Sequence, residues 1–259
     1  MSVVAAESHA HHGGHAHHWE TSVAPMAIMF GVLFLVPLTF ISFLCYGNIN
    51  MAIACAGIGT PILIFGISRW VAEGIATPNL VVGAAGTGLP LFIVSEICIF
   101  LSLFASYWML RLFADSWPPA GTPEMPVDLP LLMTVLLVTS SFTIHKGEEL
   151  LEHGDLPGFR KWLLITIVLG TAFLSCTIYE YSHLIGHGFV PGTNIFSTAF
   201  FSLTGFHASH VLVGIGAFVF VLIPALSGKT NKTLVNCVSV YWHFVDIVWF
   251  FVVSQIYFW

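Results

Sequence analysis

The chain has 259 residues, of which 57 % are hydrophobic and only 8 % are charged. Soluble domains carry about 25 % charged residues, so the 7 Lys and Arg and 13 Asp and Glu are too few to cover a surface in water. The net charge of -6 and the shortage of Lys and Arg also exclude a nucleic-acid-binding protein. We therefore expect a membrane protein.

The first 23 residues form a His-rich stretch, with six of the 13 histidines between His9 and His18. No basic region precedes the first apolar run and no small-residue cleavage signature follows it, so a removable secretory peptide is not expected. We predict a mobile cytoplasmic tail over residues 1–23. Scavenging of a transition metal by its histidines is the alternative.

Seven apolar runs follow this tail. A bilayer core of about 30 Å needs about 20 apolar residues per helix. Runs of that length, bounded by charge, Pro or Gly, cover residues 24–46, 51–70, 89–113, 129–145, 159–179, 195–227 and 233–257. They are too long and too continuously apolar for the strands of a β-barrel, so the sequence predicts an all-α bundle of seven transmembrane helices.

The spacing of the runs suggests a division of the chain. Only Gly-Asn-Ile-Asn at residues 47–50 separates the first two runs, which predicts a transmembrane hairpin over residues 24–70. A cytoplasmic loop is expected over residues 71–88 and a five-helix bundle over residues 89–259. Five isolated cysteines lie in apolar runs, without the spacing of a metal site.

The distribution of cations predicts the orientation, because Lys and Arg beside the spans remain on the cytoplasmic side. With a cytoplasmic N-terminus, only Arg111 falls on the outer side. The cytoplasmic side then collects Arg69, Lys146, Arg160, Lys161, Lys229 and Lys232.

Ionisable side chains inside the spans are candidate functional residues, since each costs a few kcal/mol in lipid unless it faces protein or a cavity. They are Glu96, Glu180, His207, His210, His243 and Asp246. Glu96 has no cation within two turns of its own helix, so it is either bonded to a neighbouring helix or involved in proton handling or lipid sensing.

The two histidine-bearing helices leave two interpretations open. His207 and His210 are three residues apart and share a helical face, as do His243 and Asp246. We favour a structural polar network between helices six and seven, with His243 able to bond Asp246. A haem or metal site is the alternative, although it needs further ligands or histidines on opposing helices.

Several stretches resemble subunit III of the haem–copper terminal oxidases, most closely that of cytochrome c oxidase. From residue 89 to the C-terminus the order and spacing match the family closely. The stretches are residues 92–96 (FIVSE), 117–121 (WPPAG), 129–134 (LPLLMT), 179–181 (YEY), 197–210 (STAFFSLTGFHASH) and 241–249 (YWHFVDIVW). The first 88 residues resemble the family mainly in their helical hairpin.

The resemblance implies an accessory subunit that binds no haem, copper or other metal itself. The catalytic subunit I, which reduces oxygen and pumps protons, would hold the haem and copper, and subunit II and phospholipid would be further partners. Helices 1–2 would be set apart from helices 3–7 by a lipid-holding cleft. Glu96 matches the glutamate that faces this region in the family. The histidines at 207, 210 and 243 and the acid at 246 match its polar set on the last two helices.

Position on the cytoplasmic side suggests four contacts to lipid headgroups, because cations there attract anionic lipid. These are Arg69, Trp70, Lys229 and Lys232. We expect the subunit to support proton uptake, oxygen access and stability during turnover, in a bacterial inner membrane rather than a mitochondrial one. The electron donor and membership of a respiratory supercomplex stay open.

Three alternatives to this interpretation follow from the residues and the resemblance. The first is a membrane b-type cytochrome with His207, His210 and His243 as axial ligands. The second is a proton-coupled transporter built around Glu96 and Glu180. The third is subunit III of a quinol oxidase, which differs in the electron donor of the complex.

Overall fold

The computed structural model describes residues 22–76 and 78–258, and every regular element in those ranges is helical. The helices are α1 (Ala24–Leu33), α2 (Ile49–Ala76), α3 (Pro78–Leu112), α4 (Asp128–Glu152), α5 (Leu156–Gly186), α6 (Ile195–Leu226) and α7 (Lys232–Val253). Short π-helical segments extend α1 through Phe34–Leu38 and Ile41–Cys45, and extend α7 through Ser254–Phe258.

Seven helical stretches in these ranges are long and apolar enough to cross a membrane. This confirms the predicted all-α fold with seven helices that are able to span a membrane. The predicted His-rich tail, residues 1–23, lies outside the described residues except for Ser22 and Val23. The chain divides into two compact units, Met1–Arg69 and Trp70–Trp259.

In the first unit, α1 and α2 pack with their backbones in close contact. A Cβ added at Gly31 would lie 2.6 Å from the Cα of Leu63, and one added at Gly66 would lie 2.8 Å from the backbone nitrogen of Ile28. Both pairs of residue numbers add up to the same total, as expected for antiparallel helices. The glycines permit this approach because small residues let membrane helices pack closely.

A short turn joins the two helices of this unit. Gly47 adopts a left-handed conformation with φ 59°. The side chain of Asn48 then accepts a hydrogen bond from the backbone N–H of Met51 at 3.1 Å, which caps the start of α2. The turn is shorter than the four residues expected, because α2 already begins at Ile49.

The prediction of a cytoplasmic loop over residues 71–88 is wrong. In the structure α2 continues to Ala76 and α3 begins at Pro78, so these residues are helical on both sides of residue 77. A proline is compatible with the first turn of a helix, where its missing N–H would have no partner anyway. The glycines at 83, 86 and 88 each lower helix propensity by only about 1 kcal/mol, which does not end an apolar helix.

Helix α4 is also longer than expected, since it continues past His145 to Glu152. Lys146 and Glu149 form an ion pair of 2.7 Å one turn apart on the exposed side. The Asp155 side chain accepts a hydrogen bond of 3.0 Å from the backbone N–H of Gly158 and so caps α5. The charged residues that follow the predicted fourth span therefore belong to two further turns of α4.

Trp242 of α7 is the central packing residue of the second unit, with no exposed surface. Its ring fills the space beside two glycines. A Cβ added at Gly214 of α6 would lie 2.7 Å from this ring, and one at Gly170 of α5 would lie 2.9 Å from it. The indole N–H donates to the Ser140 hydroxyl of α4 at 2.9 Å. One side chain thus contacts α4, α5 and α6.

Candidate functional site: polar contacts between membrane helices

Glu96 of α3 and His210 of α6 meet between their helices. The distance from Glu96 Oε2 to His210 Nε2 is 3.0 Å, and their side chains are 15 % and 10 % exposed. The rings of Phe100 and Phe206 lie 5.1 and 4.6 Å from the imidazole, measured between ring centroids. The pair therefore lies in an apolar environment that removes most of both side chains from the surface.

The hydrogen bonds of His210 fix the position of one proton. Its Nδ1 lies 2.9 Å from the backbone oxygen of Phe206. A carbonyl oxygen only accepts, so Nδ1 carries a proton and donates it. Nε2 then either donates to an ionised Glu96 or accepts from a protonated one. In both arrangements a single further proton lies between the carboxyl and the imidazole, so Glu96 and His210 form a proton-sharing pair.

His207 lies one turn earlier on α6 and has a different environment. Its side chain is fully buried, with ring centroids 5.7 Å from Phe173 of α5 and 5.1 Å from Trp249 of α7. Within the described residues, neither ring nitrogen has a hydrogen-bond partner. His207 therefore packs among aromatic rings at the contact of α5, α6 and α7.

His243 and Asp246 of α7 both contact Ser141 of α4. The Ser141 hydroxyl lies 3.0 Å from His243 Nδ1 and donates a hydrogen bond to Asp246 Oδ2. The sequence predicts a network between helices six and seven, whereas the structure connects these two side chains to α4. Ser141 was missed because a serine in an apolar run carries no signal that separates it from its neighbours.

The contact with Ser141 is one step of a polar seam between α4 and α7. Hydroxyl groups or acids of α4 meet polar groups of α7 along most of the shared length. The pairs outside Ser141 are Ser239 with Glu148 at 2.8 Å, Trp242 with Ser140 at 2.9 Å, and Trp249 with Thr134 at 2.9 Å. Such interhelical hydrogen bonds hold membrane helices together, each contributing about 0.6 to 2 kcal/mol.

Glu180 of α5 is buried and contacts the C-terminal π-helical segment. The Tyr257 hydroxyl lies 2.9 Å from each of the two carboxyl oxygens. The Tyr107 hydroxyl of α3 donates to the backbone oxygen of Gln255 at 2.6 Å in the same segment. These bonds tie α3 and α5 to the end of α7. The sequence places Tyr257 at the end of the seventh predicted span, and it gives no polar partner for its hydroxyl.

The four predicted lipid-contacting residues lie at helix ends. Trp70 is 50 % exposed near the C-terminal end of α2, and Arg69 precedes it. Lys229 and Lys232 are exposed between α6 and α7, and the Lys232 ammonium donates to the backbone oxygen of Glu152 at 3.3 Å. The headgroup contacts stay a prediction.

The histidines of α6 and α7 do not converge on a common centre. Both nitrogens of His210 have partners, and Nδ1 of His243 lies against Ser141. In residues 22–76 and 78–258, no three His, Cys, Asp or Glu side chains lie close enough together to hold a metal ion.

Seven apolar helices, with acids and imidazoles bonded between helices, define a multi-pass membrane protein. A family model described as cytochrome c oxidase subunit III matches residues 15–259. The chain belongs to this family, which confirms the resemblance found in the sequence.

Three relatives illustrate the similarity, and each is named cytochrome c oxidase subunit 3. The protein of Synechocystis sp. is 41 % identical over 166 residues, which is 62 % of this chain and 70 % of the relative. The protein of Thermostichus vulcanus is 38 % identical over 66 % of this chain and 85 % of its own length. The protein of Corynebacterium diphtheriae is 39 % identical over 70 % of this chain and 89 % of its own length.

Proposed function

We propose that this chain is a non-catalytic accessory subunit III of a respiratory haem–copper oxidase of the cytochrome c oxidase type. It packs on the catalytic subunit I, beside subunit II, and binds no haem or copper itself. It supports proton uptake, oxygen access and the stability of the oxygen-reducing, proton-pumping complex during turnover. Membership of the subunit III family supports the association with other oxidase subunits.

The proton-sharing pair of Glu96 and His210 carries the proposed role in proton handling. A carboxyl and an imidazole 3.0 Å apart can exchange a proton without moving either backbone. The rings of Phe100 and Phe206 pack against the imidazole of this pair. An acid held in this way inside a membrane protein is by default a functional residue rather than a packing one.

The structure also supports a structural role in lipid binding at the predicted cytoplasmic surface. Lys229 and Lys232 present ammonium groups beside the ends of α6 and α7, and Trp70 exposes an amphipathic ring. With Arg69, these residues hold phospholipid headgroups. Replacing both lysines by glutamine should reduce the phospholipid that native mass spectrometry detects on the complex. Unchanged lipid retention would contradict the assignment.

A b-type cytochrome is a weaker alternative, because the histidines it needs have other partners. Axial histidines must face each other across a haem. His210 instead contacts Glu96, and the His207 ring packs between Phe173 and Trp249. The haem content of the complex should therefore be unchanged when His210 is replaced by leucine, and loss of a haem would favour the cytochrome.

A transporter built around two acids is also less well supported. Glu96 contacts α6, whereas Glu180 contacts the segment that follows α7. The two carboxyls thus belong to separate contacts rather than to one binding site. A subunit III of a quinol oxidase stays an alternative, in which quinol and not cytochrome c is the electron donor of the complex.

The proposed location is a bacterial inner membrane, with the N-terminus in the cytoplasm. The similarity to oxidase subunits of bacteria supports this choice over a mitochondrial membrane. Membership of a respiratory supercomplex would be visible as co-migration with other respiratory complexes in mild detergent.

Replacing Glu96 by glutamine or alanine in the intact oxidase tests the proposed function. The haem spectrum should stay unchanged, while the activity should be lost faster during sustained turnover. A loss of about 1.4 kcal/mol from the barrier to inactivation would shorten the lifetime about tenfold. The measurement is oxygen consumption over time, with the visible spectrum recorded on the same sample.

Ser95→Ala is the matched control for this experiment. Ser95 is adjacent on α3, and its hydroxyl bonds only the Phe92 backbone oxygen of its own helix at 2.6 Å. The control should keep the lifetime of the unmodified enzyme. The proposal would be contradicted if the Glu96 variants lost haem, or if both Glu96→Gln and Glu96→Ala kept the lifetime of the unmodified enzyme.

A further inference from the structure

The C-terminal end of α5 carries two exposed imidazoles outside the contacts described above. His183 lies in the last turn of α5, and His187 caps the helix four residues later. Their ring centroids are 4.4 Å apart. In the described part of the chain, no carboxylate forms an ion pair with either ring. The two side chains therefore form an isolated pair of potential metal ligands.

The backbone fixes which nitrogen of His187 is available. Its Nδ1 lies 2.8 Å from the backbone oxygen of His183 and must donate a proton to it. In the neutral ring, the lone pair is then on Nε2, which is directed away from the helix backbone. The C-terminus is the negative end of the helix dipole, which also favours a bound cation.

The spacing of the rings suits a shared metal ion. Two histidines four residues apart on one helix face form the zinc-binding pair of the HExxH helix. With metal–nitrogen bonds of about 2.0 to 2.1 Å, each ring centroid lies about 3.2 Å from the ion, so two tetrahedral ligands place the centroids about 5.2 Å apart. The observed separation of 4.4 Å is about 0.8 Å shorter, so the two exposed rings must turn slightly apart when they bind the ion.

We infer that His183 and His187 form an exchangeable site for a divalent transition-metal ion such as Zn²⁺, with water completing the coordination. The predicted topology places this end of α5 on the outer side of the membrane. At about 46 Å, the 31-residue helix exceeds the hydrocarbon core of about 30 Å, so its end can reach the headgroup region. The ion is a bound ligand of this surface and takes no part in electron transfer.

His153 provides an internal control for this site. It caps α4 and is exposed, and its Nδ1 lies 2.7 Å from the Glu149 backbone oxygen. His187 makes the same contact with the backbone oxygen of His183, four residues earlier. The residue four positions before it is a glutamate, and that carboxylate already binds Lys146 at 2.7 Å. His153 therefore has the same backbone contact without a second imidazole.

Acylation of the histidines by diethyl pyrocarbonate measures the proposed site in the intact, purified oxidase. The rate at each histidine is followed by mass spectrometry of the digested protein at buffered free Zn²⁺, so that the histidines of the tail do not deplete the ion. Zn²⁺ should slow acylation of His183 and His187 together, with one common midpoint, and leave His153 unchanged. Mg²⁺, which prefers oxygen ligands, should protect none of them.

Two single substitutions decide whether the pair acts as a chelate. Loss of an outer-shell group typically costs 10 to 100-fold in metal affinity, so loss of one of two ligands should raise the Zn²⁺ midpoint at the other at least about tenfold. His187→Ala should therefore abolish protection of His183 in the range that protects the unmodified enzyme, whereas His153→Ala should not. Equal protection of His183 with and without His187, or no protection at all, would overturn the inference.

Discussion

Two histidines one turn apart on α6 show how differently one helix can use the same residue. His210 faces α3, and its two nitrogens contact Glu96 of α3 and the Phe206 carbonyl of its own helix. His207 faces α5 and α7, where both of its nitrogens lack a partner within the described residues. The side chains are buried in both cases, so burial alone does not distinguish them.

The proposed proton handling therefore uses the contact between α3 and α6 and not the surroundings of His207. An imidazole bonded to an acid can pass a proton between two groups, whereas one packed between Phe173 and Trp249 contributes apolar ring surface. A buried polar atom without a hydrogen bond costs about 1 to 3 kcal/mol. His207 is therefore expected to lower the stability of the bundle, and His210 to raise it.

Replacing each histidine by leucine, in separate variants, should give the largest contrast. His210→Leu should cost about 2 kcal/mol in the free energy of unfolding, because Glu96 is left buried without a partner. His207→Leu removes two unbonded polar atoms and should raise the stability by about 1 kcal/mol. The measurement is unfolding of the purified oxidase in denaturing detergent. The unfolded fraction of subunit III is read from its sensitivity to a protease, as the loss of its band on a gel.

Combining each histidine variant with Glu96→Gln shows whether the contrast arises from the acid. The interaction energy with His210→Leu should be about 1 kcal/mol, and that with His207→Leu should be near zero. Equal interaction energies would mean that Glu96 does not distinguish the two histidines, and the assignment of different roles would fail.

The sequence predicted the helices and the candidate residues, but not which of them meet. Apolar length alone identifies a membrane span, and an acid such as Glu96 is noticed because lipid does not tolerate it. Spacing places His207 and His210 on similar faces of one helix, yet it does not say which neighbour lies opposite each. That information depends on how α4, α5, α6 and α7 pack around Trp242 and how α3 packs on α6, which no local pattern contains.

The partners of the candidate residues were hidden for the same reason. Ser141 is one of many small hydroxyl residues in apolar runs, and these commonly bond their own helix, as Thr139 does with Val135 at 2.7 Å. Only the packing of α4 on α7 brings Ser141 to His243 and Asp246. The helix ends were missed because neither Pro78 nor the charges after His145 stop a helix.

Ser141→Ala tests whether the seam between α4 and α7 resembles the surroundings of His210 or those of His207. If its hydrogen bonds stabilise the bundle, the variant should lose about 1 kcal/mol, because Asp246 is left without its partner. Thr139→Ala is the control, since its hydroxyl bonds only its own helix. Equal effects of the two changes would show that the contact with Ser141 adds nothing specific.

The smallest effect is expected for Tyr257→Phe, which removes only the hydroxyl that Glu180 accepts. Interhelical hydrogen bonds in membrane proteins average about 0.6 kcal/mol, so the loss in unfolding free energy should be of that size. Tyr179→Phe is the matched control, since its ring is 65 % exposed and stacks only on His183. A cost well above that of Ser141→Ala would mean that Glu180, like Glu96, depends on its partner inside the bundle. The bond between Glu96 and His210 would then be no stronger than the bond between Glu180 and Tyr257, and the contact between α3 and α6 would not differ from the end of α7 in this respect.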